Sequence, residues 1–467
     1  MGKIKFGTGG FRGIIGEAFN KENVRLVAEA LSLIIEEENA KKEVAICYDR
    51  RNYSPEAGLE MAKVLASHNI RVYLANTDSP TPAAIYHTMT RNNDYGIMIT
   101  ASHNPSTFNG VKLFTKGGYD ADEAFTKKVE KKVDSITSIP EFKDEYYSLI
   151  TRFNPLPEYI SNILKFSKKK LNHNIKAAYD NIYGTGIDSI LPILKEIGIE
   201  DPLVLNPEHD TNFGGKLPNP IPCNLKDLIN IVKEDKYDVG FSADSDADRL
   251  AVIDEKGNFV SPNETMACIY YYLVKVKGEK GDVVRNVASS FLLDDLATAL
   301  GQKCHEVDVG FKNVTRGMAD TNALLGGESS GGLTVRGYLK GKDTTFALTL
   351  FLNMMDDMNK PVSEIVKEVK EFASYKSFEF ESFVEYPSSK ENYIEKYLEN
   401  NNPEFDIPLL KKEHIDRNFK YYFSPHEWGL LRLSNTEPVL RLYLELDNKD
   451  LLIKEENRIK EFVSRMR

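Results

Sequence analysis

Five short stretches of the chain hold residue types that can do chemistry. In Thr100-Ala101-Ser102-His103-Asn104-Pro105 a serine follows a strand-like run, Tyr95 to Thr100, and Lys112 comes shortly after. A serine past a strand end stands where open α/β sheets place ligands. It can act as a nucleophile or carry a phosphoryl group. The competing reading is a turn serine beside a capping histidine. A hydrolase-type dyad is disfavoured, because no Gly-x-Ser-x-Gly surrounds Ser102. His103 ordinarily titrates near neutrality. Lys112 can act as acid or base if neighbouring cations lower its pKa.

The second stretch, Asp244-Ser245-Asp246-Ala247-Asp248-Arg249, again follows an apolar run, Val239 to Ser242. Three carboxylates at alternate positions in a tight loop converge on a hard cation, and Mg²⁺ shares such oxygens with a phosphate. The competing reading is a solvated acidic turn. An EF-hand is disfavoured, since Arg249 stands where that loop needs glycine. The third stretch, Gly326 to Gly332, carries Glu328 and Ser330, which can hydrogen-bond vicinal hydroxyls; it also reads as a plain glycine-rich turn. The fourth, Arg432 to Pro438 with Arg441 behind it, gathers Ser434, Asn435 and Thr436 between two guanidiniums, a set suited to a phosphate dianion. The fifth, Phe6 to Gly13, is glycine-rich and delivers Arg12.

Repeated strand–helix alternation must position these loops. Val44 to Tyr48, Arg71 to Leu74 and Tyr95 to Thr100 read as strands, with a helix from Pro55 to His68 and another opened by Pro80-Thr81-Pro82. The alternation restarts at Ile175 to Tyr179, and again after Gly257 with Asp282 to Arg285 and Cys304 to Val309. After about Ser374 the texture changes: Phe378 to Tyr386, Leu430 to Leu433 and Val439 to Leu446 are strand-like, with Tyr393 among them. The expectation is three similar α/β domains in series, 1–150, 151–256 and 257–373, and a smaller α+β domain, 374–467.

A formal charge of -10 over 467 residues argues against a general nucleic-acid binder. No apolar run is long enough to span a bilayer. The N-terminal stretch has no apolar signal core, so the expected compartment is the cytoplasm. The scattered Cys47, Cys223, Cys268 and Cys304 read as buried thiols.

Taken together, the serine, the acidic loop, the hydroxyl reader and the anion clamp fit phosphoryl transfer on a phosphorylated polyol. The chain resembles the α-D-phosphohexomutase family, the phosphoglucomutases and phosphomannomutases. Thr100 to Pro105 with Asn109-Gly110, Asp244 to Arg249, Gly327 to Gly331 and Arg432 to Pro438 carry the resemblance, in family order, across nearly the whole length. Phe6 to Gly13 and Gly310-Phe311-Lys312 resemble further ligand loops. The resemblance implies four domains around a central cleft. It implies Ser102 as phosphoryl carrier, and Asp244, Asp246 and Asp248 as Mg²⁺ ligands together with a phosphoserine oxygen. Arg12, Lys112 and Arg249 would surround the transferring group. Lys312, Glu328, Ser330, Arg432, Ser434, Asn435, Thr436 and Arg441 would hold a sugar phosphate. The implied reaction exchanges phosphate between the 1- and 6-positions of a hexose, through a sugar 1,6-bisphosphate that also serves as activator. Glucose phosphates lead, and mannose phosphates are a near alternative. Phosphoglucosamine mutase, phosphopentomutase and a metal-dependent sugar phosphatase are the rivals. The partner is a small sugar phosphate, and the chain is expected to be a monomer or homodimer. Two departures from the family pattern bear on the acid/base group. Gly332 follows the sugar loop where some members have a histidine nearby, with Tyr338 offered instead, and Lys342-Asp343-Thr344-Thr345 replaces the usual Lys-Asp-Gly.

Overall fold

The computed structural model describes residues 4–7, 10–434 and 439–465. Three α/β sheets and one antiparallel sheet follow one another along the chain. In the first, Tyr95–Ile99, Glu43–Tyr48, Arg71–Ala75 and Ile150–Phe153 run parallel, and Phe108–Thr115 adds antiparallel to Tyr95–Ile99. In the second, Leu203–Leu205, Ala177–Asp180 and Val239–Ala243 are parallel, and Leu250–Asp254 returns antiparallel. In the third, Cys304–Val307, Val283–Asn286 and Leu325–Gly327 are parallel, and Leu333–Val335 returns antiparallel.

The same device thus recurs three times. In each sheet a parallel strand is followed by an antiparallel return beside it, and the turn between them is a chemistry-bearing loop: 100–107, 244–249 and 328–332. Burial dictates the strand sequences. Tyr95–Ile99 and Val239–Ala243 are enclosed along their whole length, which explains runs of apolar and small residues without alternation.

The expected strands and helices are found within a residue or two. The second helix is Ser54–Ser67, and the Pro-Thr-Pro signal opens Thr81–Thr90 with Pro80 as its cap. Tyr393 lies on a helix, Glu391–Asn400, because Ile394 and Leu398 form its buried face at i, i+4 spacing. Cys47 and Cys268 are buried, but Cys223 is exposed, since its turn, 217–224, projects from the second sheet over the cleft.

One continuous apolar core runs through all three α/β units. The fourth unit has its own, between the sheet Phe378–Glu385, Val439–Leu446, Trp428–Leu433, Asn418–Tyr422 and Lys411–Ile415 and the helices Glu391–Asn400 and Lys449–Ser464. A small patch joins the two, with Val287 and Ala288 against Trp428, Leu430 and Tyr443. No helix among the described residues is long and apolar enough to cross a membrane.

Candidate active site

The first two loops meet at their tips. Ser102 is 1% exposed, and its Oγ donates to Asp244 Oδ2 at 2.8 Å. The Ser245 hydroxyl in turn donates to the Ser102 carbonyl at 2.6 Å. Ser102 sits at φ 51°, a left-handed conformation unusual outside glycine. Asp244, Asp246 and Asp248 are all buried, and one oxygen from each lies within 4.8 Å of the others. Among the described residues they form the one such group of His, Cys, Asp or Glu. Asp246 Oδ1 and Asp248 Oδ1 accept no hydrogen bond. Three buried carboxylates with two orphaned oxygens make a donor set that suits a hard divalent cation.

Cations crowd this centre. Lys112 Nζ donates to Asp246 Oδ2 at 2.6 Å and to Asp248 Oδ2 at 2.9 Å. Lys342 Nζ lies 3.3 Å from Asp248 Oδ1, and Arg249 Nε 3.9 Å from Asp244 and Asp248. Arg12, on the strand Gly10–Ile14, donates to the Asn104 side chain. Burial, with Asp248 and Asp246 beside it, pushes the Asp244 carboxyl up to about 8. Burial acts the same way on Asp246 and Asp248, but Lys112 and Lys342 together, with the Thr81 hydroxyl at Asp246 and Arg249 at Asp248, outweigh it and hold both below the usual carboxylate range.

The same groups set the charge state of the two acid/base candidates, His103 and Lys112. His103 Nδ1 is 3.4 Å from Ser102 Oγ, but burial, followed by Arg249, Arg12, Arg441 and Lys342, drives its pKa far below 6.5. It is neutral at pH 7. Burial lowers the Lys112 ammonium, yet Asp246 and Asp248 overcompensate and leave its pKa raised. Lys112 here carries its charge beside the two aspartates.

Above this centre lies a cleft of about 1120 Å³, reached by all four units. Glu328, from the third loop, lines it; its Oε1 accepts from Gly310 N at 3.0 Å, and Ser330 Oγ reaches Oε2 at 3.4 Å. Lys312 stands on the first turn of the helix Phe311–Thr321, and its side chain is not on the cleft wall, which Gly310 and Phe311 form instead. From the fourth unit come Arg432, Ser434 and Arg441. Arg432 and Arg441 are directly opposite each other across the strands Trp428–Leu433 and Val439–Leu446. Like charges so placed repel, and an anion bound between them turns that repulsion into attraction. Asn435 and Thr436 lie outside the described residues.

Three family models, each described as phosphoglucomutase/phosphomannomutase, match the chain in order: alpha/beta/alpha domain I at residues 3–140, domain II at 157–257 and domain III at 261–372. The chain belongs to this family, the α-D-phosphohexomutases. It is similar over 98% of both lengths, at 29% identity, to the phosphoglucosamine mutase of Campylobacter hominis. It is 28% identical, over 96% of both, to a phosphoglucomutase/phosphomannomutase of Thermococcus kodakarensis. The fold is shared with the open form of the Paramecium phosphoglucomutase parafusin, at a TM-score of 0.82 and 20% identity over 100% of this chain and 95% of that one.

Sequence reasoning passed over two residues of this phosphohexomutase centre. Thr81 donates from Oγ1 to Asp246 Oδ2 at 2.6 Å and from its backbone N to the Asp246 carbonyl at 2.9 Å. Its signal was the polar residue between two helix-opening prolines. Lys342 was visible only as part of a departure from the family pattern. Its side chain runs over Gly332, where an added Cβ would stand 2.0 Å from Lys342 Cδ. The lack of a side chain at Gly332 is therefore what leaves room for Lys342. Tyr338, the expected substitute for the missing histidine, is not in the cleft. It is buried, stacks on Phe346 with ring centroids 3.7 Å apart, and donates to Asp343 Oδ2 at 2.6 Å. Burial and Asp343 raise its pKa far above 10. Asp343 caps the helix Thr344–Met358 that follows Lys342, so the pair anchors Lys342 rather than reacting.

Proposed function

We propose that the mutase moves a phosphoryl group between the 1- and 6-positions of a hexose phosphate, with Ser102 as the carrier. The observation that carries this reading is the buried contact of Ser102 Oγ with Asp244, inside a ring of Lys112, Lys342, Arg12 and Arg249. Phosphoserine Ser102 gives its phosphoryl group to a free sugar hydroxyl, and a hexose 1,6-bisphosphate forms. The bisphosphate turns end for end, and the other phosphate returns to Ser102.

Asp244, Asp246 and Asp248, with a phosphoserine oxygen, would hold Mg²⁺, which when bound neutralises charge on the phosphoryl oxygens. The remaining work falls to the chain's own groups. Arg12, Arg249, Lys112 and Lys342 provide fixed positive charge around the transferring group, and phosphoryl transfer depends mainly on such positioning and neutralisation. Glu328 and Ser330 orient the sugar hydroxyls. Arg432, Ser434 and Arg441, with Asn435 and Thr436, hold the phosphate that is not reacting. Residues 1–150, 151–256, 257–373 and 374–467 would all supply loops to this cleft.

Loop sequences favour glucose phosphates, with mannose phosphates second. A second reading, glucosamine phosphate, is supported by the name of the Campylobacter hominis relative and by carboxylates on the cleft wall, Glu328, Glu379 and Glu381, that can face an ammonium. The deciding assay compares turnover of glucose, mannose and glucosamine 1-phosphates, each with its 1,6-bisphosphate as activator. Intact mass of the purified protein tests the carrier: one phosphate on Ser102 is expected. Activity in a Ser102→Ala variant close to wild type would end this reading.

A further inference from the structure

We propose that Arg51, with Asp49 and Thr100, is a positioning residue for phosphoryl transfer, clamping the Ser102 loop from below. The inference rests on Ser102 being the carrier. Arg51 is 1% exposed and does not line the cleft. Its guanidinium spends four hydrogen bonds on the carbonyls of one loop. Nη1 donates to Pro105 at 2.7 Å and to Phe108 at 2.9 Å; Nη2 donates to Asn104 at 2.6 Å and to Ser102 itself. Its other face covers the Phe213 ring of the second unit, 4.9 Å from the centroid.

A guanidinium is costly to bury, and its usual partners are carboxylates. Here the nearest is Asp49, 3.3 Å from Nε. Asp49 is already in use elsewhere: Oδ2 accepts from Thr100 Oγ1 at 2.6 Å, and Oδ1 from Ser54 Oγ at 2.8 Å and from Arg51 N at 2.9 Å. Thr100 Oγ1 in turn accepts from the Ser102 backbone N at 2.8 Å. Ser102 is thus gripped at both ends of its backbone: its N–H through Thr100 and Asp49, its carbonyl by Arg51 and Ser245.

The grip answers two needs of the loop. Ser102 occupies a left-handed backbone conformation that a non-glycine residue keeps only when its surroundings over-determine it. The carbonyls gathered by Arg51 are also held on the side away from the cleft, so their negative ends do not face an incoming phosphate. The residues responsible form a short pattern, Asp49, Arg51 and Ser54, between the strand Glu43–Tyr48 and the helix Ser54–Ser67.

The test uses the full-length enzyme and whichever of glucose, mannose and glucosamine 1-phosphates the wild type turns over fastest. Arg51→Lys keeps the charge and loses the fork. It should fold, lower kcat about 10²-fold, as small misplacements of reacting groups do, and leave KM within about threefold. Thr100→Val should lower kcat in the same sense, and Thr100→Ser, which keeps the hydroxyl, should restore it. A folded Arg51→Lys with wild-type kcat, or one that changes KM alone, overturns the proposal. If Arg51→Lys does not fold, the threonine pair decides: equal kcat in Thr100→Val and Thr100→Ser overturns it. Wild-type enzyme that turns over without phosphate on Ser102 would instead sink the carrier reading, and this one with it.

Discussion

The centre around Ser102 and the arginine pair Arg432 and Arg441 are built in opposite ways. The centre is assembled from three α/β units that share one core, and its polar groups are buried and bonded across unit boundaries. Thr81 and Lys112 reach Asp246, Ser102 reaches Asp244, and Lys342 reaches Asp248. The arginine pair stands on a unit with its own core, attached by a single chain crossing between Val362–Phe372 and Phe378–Glu385, by a small apolar patch and by polar contacts at the seam such as Lys420 Nζ to Glu306 Oε2 at 2.8 Å. On the function proposed above, the chemical step falls to residues on the shared core and recognition of the second phosphate to residues on a separate core. Variants on the two sides should therefore fail in different kinetic parameters.

The largest effect is expected from Ser102→Ala. Without a carrier hydroxyl, kcat should fall by more than about 10⁴-fold, while calorimetric binding of a hexose phosphate survives. Lost binding with residual turnover would break the division. Next comes Lys342→Met. Removal of one fixed cation beside the reacting group should lower kcat on the order of 10²-fold at similar KM. A change in KM alone would move Lys342 from the chemical side to the binding side. Arg432→Ala tests the other side. Loss of a charge-assisted contact to phosphate, roughly 1.5–3 kcal/mol, should raise KM about 10- to 100-fold and leave kcat nearly intact. A kcat loss without a KM change would mean that the clamp takes part in the chemical step.

What the sequence made legible follows the same line. Each loop on a unit's parallel-to-antiparallel turn could be read locally, because an apolar strand marks its start and the reactive side chains are consecutive in the chain. That covers Ser102, the three aspartates and Glu328. What stayed hidden depends on contacts between distant segments. His103 is ordinary in sequence, and its pKa falls well below 6.5 only once burial, and then Arg249, Arg12 and Arg441 from other segments, surround it. Tyr338 looks available after the glycine loop, yet its ring is drawn into the core by Phe346, three residues into the following helix. Lys342 and Gly332 are ten positions apart, and only their packing reveals that one makes room for the other. Arg51 carries no local sign that its partners are four carbonyls 51 to 57 residues away.

The smallest effect is expected at the seam between the two regions. Glu379 and Glu445 are directly opposite partners across the strands Phe378–Glu385 and Val439–Leu446. Glu445 is fully buried and accepts from Trp428 Nε1 at 2.7 Å and from Phe291 N at 3.1 Å, which ties the fourth unit to the third. Glu379 accepts from Asn263 Nδ2 at 2.6 Å. Two carboxylates face to face cannot both ionise without cost. Desolvation, with Glu445 opposite, pushes the Glu379 carboxyl up from 4.5 to about 8. Between those values the folded chain holds a proton that the unfolded chain has released. Stability from this group is therefore full below about pH 4.5 and is lost as pH rises toward 8. Melting followed from pH 5 to 9 should show the fourth unit weakening, and Glu379→Gln should flatten that slope, with a gain of about 2–4 °C at the alkaline end. Hydrogen exchange in Phe378–Glu385 should slow in the same variant. An unchanged slope would locate the pH dependence outside the seam, and the fourth unit's attachment would then rest on its apolar patch and ion pairs alone.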